Sequence, residues 1–181
     1  MTLPLGGSVV IIRAEEKMNL FKRKKQAVIT PEEFGLLLTR ISQHSIKGTI
    51  QLLKEIINAN EHSELSKVEE ELLYFFIFAL DYWWSMDSIH TNAEHHQGRL
   101  AFRVHLANIV NMDILQDRLV AYSHIANEET DDKVKYFGFG RKLSEFCGMS
   151  LAPYLLVLAP DLFTEALESL TLLRTVKLKL L

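Results

Sequence analysis

The segment from Ser66 to about His95 most constrains what this chain can fold into. It carries Val68, Leu72, Phe75, Phe76, Ala79, Leu80 and Trp83 on one helical side, and Leu73, Ile77 and Trp84 on another. A helix that is apolar along one stripe lies on a core, whereas one apolar around more than one stripe has to be surrounded by other elements. The pattern predicts a largely buried central helix over about 66–95. With 181 residues and 48% hydrophobic content, the chain can bury one such core.

The elements around it read as helices too. Thr30, Pro31 and Glu33 form an N-cap, a first-turn proline and the far side of a capping box. They open a helix over about 31–58 with the stripe Phe34, Leu38, Ile41, Ser45, Gly48, Leu52 and Ile56, whose small central residues admit a kink or a close neighbour. Ser66 and Glu69 form a second capping box for the central helix. After a turn at Gln97-Gly98, a third helical stretch runs to about Ala126, with an interruption near Asn111-Met112-Asp113. Thr130 is placed to cap the next helix, and Gly148 to stop it. Ser150 and Pro160 bracket a short apolar helix, and Pro160-Asp161 starts a last amphipathic one. The expectation is an all-α, single-domain helical bundle of about five to six helices. Val176 to Leu180 alternates too briefly to predict a strand.

Residues 1–29 lack helical periodicity and a cap, which predicts a flexible basic leader ahead of a helical domain over 30–181. Residues 1–30 hold six Lys/Arg against two Glu, a sum of +4, so that 31–181 carries fourteen against twenty-one Asp/Glu, or −7. An acidic body disfavours nucleic-acid binding, which needs a phosphate-neutralising face. The leader's Lys22, Arg23, Lys24 and Lys25 are candidates for contact with an anionic membrane surface. Ala14-Glu15-Glu16-Lys17 can be encoded by a purine-rich tract like a bacterial ribosome-binding site, which makes Met18 a candidate native start and residues 1–17 an extension of it. The longest apolar runs fall short of the roughly 20 residues that a transmembrane helix needs. One cysteine, Cys147, permits no internal disulfide and no thiolate zinc cage. The reading is a bacterial, cytoplasmic protein.

One segment carries the residue types of a chemical site. On a continuous helix, Asp87, His90 and Glu94 share a face at i, i+3 and i+7, and a tight hairpin near His96 would place His105 opposite Asp87. Two carboxylates and two imidazoles there could ligate a metal or exchange protons. The same hairpin sets Arg99, Arg103 and His105 against Asp87, His90 and Glu94, so an ion-paired helix seam accounts for the same residues. His124 and Glu128 form another pair, of a type that resembles the carboxylate and histidine sites of four-helix di-iron proteins. That pair would lie ~28 Å along the hairpin at ~1.5 Å per residue, too far to share a metal.

Lys135 to Lys142 matches the Lys, Phe, Gly and Phe positions of the aromatic RNA-recognition strand motif, but Gly140 and Lys142 stand where that motif needs an aliphatic and an aromatic residue. Close helix packing is the expected use of Gly138 and Gly140. Trp83 and Trp84 point about 100° apart on a helix, so either other helices wrap both or one of them meets a partner.

No nucleotide loop, nucleophile elbow or complete metal set is present, and no cofactor is implied. The leading expectation is a non-enzymatic helical module that binds a protein partner or a second copy of itself. The alternative is a metal or acid-base site on Asp87, His90, Glu94 and His105.

Overall fold

The structure is a computed structural model that describes residues 28–56, 65–148, 152–173 and 176–179. The basic cluster Lys22 to Lys25 and the candidate start Met18 lie outside the described residues. The order is β1 (Val28–Ile29), α1 (Pro31–Ile56), α2 (Leu65–Met86), α3 (Asn92–Leu106), α4 (Met112–Glu128), α5 (Asp132–Cys147), α6 (Ala152–Leu173) and β2 (Lys177–Leu178). The fold is an all-α helical bundle, and no helix among the described residues is long and apolar enough to cross a membrane.

Helix α2 is the centre. Every residue from Tyr74 to Leu80 is buried, together with Leu65, Val68, Leu72 and Trp84. Phe75 and Phe78 meet Tyr122 of α4 and Phe139 of α5 at ring separations of 5.0 to 5.6 Å, and Phe139 in turn meets Phe163 of α6 at 5.0 Å. These spacings suit edge-on and tilted ring pairs. The double-sided apolar pattern of α2 is therefore satisfied by helices on all sides. Its end differs from expectation: α2 stops at Met86 rather than near His95.

The stop has a local cause that is written in the sequence. Thr91 is the N-cap of α3, accepting from the Glu94 backbone N–H at 3.2 Å, while Glu94 accepts from the Thr91 N–H at 2.8 Å. This capping box repeats the one at Thr30 and Glu33, where the matching distances are 3.2 and 2.8 Å. Two helices therefore meet at a bend over 87–91, and α3 folds back mainly against α1. Gly35 makes that packing close, since a Cβ there would lie 2.6 Å from the Ala101 carbonyl carbon.

Other boundaries also moved. Helix α2 has already begun at Leu65, so Ser66 lies inside it. Asp131 rather than Thr130 caps α5, accepting from Lys133 N–H at 2.8 Å and Val134 N–H at 3.3 Å. Asn111 caps α4, so the expected interruption is a full break. Gly148 ends α5 with a φ of 98°, as a terminal glycine should. In α1 the buried stripe shifts after Ser45 to Ile46, Ile50 and Leu53, and a Cβ on Gly48 would meet nothing within 4 Å.

Pro160 does not separate two helices. It lies inside α6, whose stripe Leu155, Ala159, Leu162, Phe163, Ala166, Leu170 and Leu173 is buried without a gap across it. Burial of that stripe outweighs the ~3 kcal/mol that an internal proline costs. Gly140 of α5 lets α6 approach, its would-be Cβ lying 2.7 Å from the Leu156 Cα, and Gly138 faces Ile125 in the same way at 2.9 Å. Residues 135–142 are thus helical, and their glycines serve helix packing.

Residues 28 and 29 are not part of a loose leader. They pair in parallel with β2, Val28 with Lys177 and Ile29 with Leu178, and the Lys179 N–H donates to the Ile29 carbonyl at 2.8 Å.

Candidate functional site

The bend between α2 and α3 gathers the polar chemistry. Because α2 ends at Met86, Asp87 and His90 sit in the bend and Glu94 in the first turn of α3, so the three do not share one helical face. The Asp87 side chain caps the bend by accepting from the Ile89 N–H at 3.4 Å. One of its oxygens, Oδ2, lies 2.5 Å from His90 Nδ1. His90 Nε2 donates to the Val176 carbonyl at 2.9 Å, just before β2. Both side chains are buried, His90 at 4% and Asp87 at 8% exposure.

Proton accounting fixes what this arrangement holds. A carbonyl oxygen only accepts, so Nε2 carries a proton. In neutral imidazole Nδ1 then presents a lone pair toward a carboxylate oxygen. At 2.5 Å the two atoms are close enough to share one proton.

His95, one turn into α3, completes the group. One ligand atom from each of Asp87, His90 and His95 lies within 4.8 Å of the other two, the only such set of three among the described residues. Burial, opposed in part by the nearby Asp87 carboxylate, holds the His95 imidazole below the usual histidine range. Its Nε2 is buried with no hydrogen-bond partner. Trp84 walls the group, its ring 4.6 Å from His90 and 5.0 Å from His95, while its indole N–H donates to the His95 carbonyl at 3.2 Å.

The other expected members lie elsewhere. Glu94 is occupied by its capping box, whose Thr91 N–H is the main reason its carboxyl sits below the usual range, and its second oxygen accepts from the Leu178 N–H at 3.4 Å. His105 lies against α1, donating through Nε2 to the Glu32 carbonyl at 3.2 Å. Arg99 pairs with Asp81 at 2.6 Å rather than with Asp87. None of these contacts is a pair of the expected seam, because the early end of α2 removes the register on which it depended. His124 and Glu128 do pair, at 2.8 Å, but on an open surface.

Helices hold both tryptophans. Trp84 is 3% exposed and packs on Phe34 of α1 at 4.5 Å. Trp83 lies on Phe163 at 5.0 Å and donates its indole N–H to the Phe163 carbonyl at 3.1 Å.

Three residues were missed in the sequence. His95 follows Glu94 directly, but a continuous helix turns it away from His90, and only the Thr91-x-x-Glu94 box signals the break that brings them together. Glu71 and Arg118 form a two-pronged ion pair at 2.6 and 2.7 Å across α2 and α4, and no local signal announces a contact between positions so far apart. No family model matches the chain, and neither a curated protein nor a solved structure does.

Proposed function

We propose that this chain is a non-enzymatic helical interaction module whose partner surface is the outer face of α3 and whose partner is a second copy of itself. The observation that carries this is the exposed row Ala93, Leu100, Val104 and Ala107, spaced seven, four and three. Leu100 is 57% and Val104 61% exposed, so the inner face of α3 binds α1 while the outer face keeps its own apolar row. Such spacing is the seam of a short coiled coil.

Charge supports pairing with a copy in the antiparallel sense. The first turn of α3 is acidic through Glu94 and the last turn basic through Arg103 and His105. A two-fold axis near the middle of the helix would set each acidic end beside the other copy's basic end. The helix dipoles would oppose in the same arrangement.

Light scattering on the untagged chain tests this. The expected result is a dimer that becomes a monomer of unchanged helicity in the double variant Leu100→Asp, Val104→Asp. A chain that stays monomeric as its concentration is raised, or a dimer indifferent to both substitutions, would overturn the proposal.

A further inference from the structure

We propose that Asp87, His90 and His95 bind one divalent transition-metal ion of the zinc class at the bend between α2 and α3. Three independent features of the bend lead there. The first is the donor set, two imidazoles and a carboxylate with a ligand atom each inside a 4.8 Å group, a combination that suits zinc, nickel or cobalt and not the oxygen-seeking magnesium or calcium. The second is His90, whose Nε2–H is held on the Val176 carbonyl at 2.9 Å. That is the usual outer contact of a metal-bound histidine, and it leaves Nδ1 facing inward as the ligand. The third is His95, whose buried Nε2 has no partner in the protein.

The geometry of the bend agrees. His90 Nδ1 and Asp87 Oδ2 face each other at 2.5 Å, and a metal ion would take the position between them. It would also draw in His95. Metal–ligand bonds of about 2.0–2.2 Å set neighbouring ligand atoms roughly 3.4 Å apart in a tetrahedron. The Asp87–His90 contact therefore opens by about an ångström while the group as a whole contracts. Side-chain rotation at a bend that carries no regular helical hydrogen bonds can supply such movements. Three protein ligands leave a fourth position for water.

The site also has a structural reach. His90 touches the residue before β2, and Glu94 accepts from Leu178 within it, so a metal at the bend would brace α2, α3 and the paired strands together. None of these residues belongs to the outer row of α3. The metal proposal therefore stands apart from self-association, and the Leu100→Asp, Val104→Asp variant is expected to bind metal normally.

The test is equilibrium dialysis of the untagged full chain against zinc chloride, with cobalt(II) absorption reporting ligand geometry. The expected result is about one zinc per chain and a visible cobalt band of tetrahedral intensity. His95→Ala is the decisive variant, because His95 Nε2 makes no hydrogen bond and its loss leaves the His90 contacts in place. Binding should weaken by about 100-fold or more, at least the effect of losing an outer contact of a ligand. Asp87→Asn, close to isosteric, should weaken it as well and guards against a folding defect in His95→Ala. His124→Ala should change nothing. In a Trp83→Phe background, cobalt should quench the remaining Trp84 fluorescence, and His95→Ala should abolish that quenching. Absence of stoichiometric zinc, or zinc lost in His124→Ala yet retained in His95→Ala, would overturn the proposal.

Discussion

Two acid–histidine pairs, close to each other in composition and sequence spacing, end up in opposite physical settings. Asp87 and His90 are three residues apart at a bend, with side chains 8% and 4% exposed, while His124 and Glu128 are four apart on α4, 68% and 64% exposed. The buried pair reaches across the fold to Val176 and adjoins a second imidazole, that of His95. The exposed pair has water as its main partner. Spacing alone does not decide the worth of such a pair, because the desolvation of its members and the number of elements they join do.

Burial with no base alongside marks the extreme of that comparison. Cys147 is 5% exposed, and burial, aided by the Glu71 carboxylate, pushes its thiol from 9.0 up to about 12. At pH 8 the thiolate fraction then falls roughly 1000-fold relative to the unfolded chain. Alkylation by iodoacetamide should be slower by about that factor in native protein than in urea. The sign for stability follows: below pH 9 the thiol is protonated in both states, and between pH 9 and about 12 only the unfolded chain ionises. Native stability is therefore expected to fall with rising pH across that window. A native rate within tenfold of the unfolded rate would show that the thiol is open to water.

Burial with a strong partner gives the next effect. Glu71 is 6% exposed and takes both prongs of Arg118, whose guanidinium also lies 3.7 Å over the Phe146 ring. Glu71→Ala strands that charge, and a loss of about 3 kcal/mol in urea unfolding is expected, moderated because Arg118 keeps 20% exposure. Asp87→Ala should cost about 1–3 kcal/mol, the range for orphaning one buried polar partner. It should also speed amide exchange at Lys179, whose N–H closes the β1–β2 pair, because His90 loses the partner that orients it toward Val176. Faster exchange at Lys179 separates a broken tie from general loosening only if the amides of Phe75 and Phe78 stay protected.

The legibility of these sites differed for the same physical reason. The buried centre of α2 was readable because an apolar pattern on two sides admits no other solution, and the all-α bundle followed from it. Gly138 and Gly140 were readable as packing glycines. The bend was written as plainly in Thr91-x-x-Glu94 as the start of α1 was in Thr30-x-x-Glu33, yet the run of Trp83, Trp84 and later polar residues hid it under a continuous helix. That one missed cap placed His105 in the site and left His95 out. Pro160 misled in the other direction, since a local breaker was overruled by the buried stripe on both sides of it. The β1–β2 pair and the Glu71–Arg118 pair join positions so distant that no local pattern encodes them.

The smallest effect is the sharpest check on the comparison. An exposed pair at i, i+4 gains little Coulomb energy in water and loses side-chain freedom, and is worth about 0.3–0.5 kcal/mol. Double-mutant cycles on His124→Ala with Glu128→Ala, and on Asp87→Ala with His90→Ala, should give coupling energies that differ several-fold in favour of the buried pair. Salt separates them further, because about 1 M salt screens surface charges over ~3 Å and reaches buried ones far less. The His124–Glu128 coupling should vanish there while the Asp87–His90 coupling persists. Equal couplings, or equal sensitivity to salt, would mean that the bend is open to solvent and that the contrast between the two pairs is one of position alone.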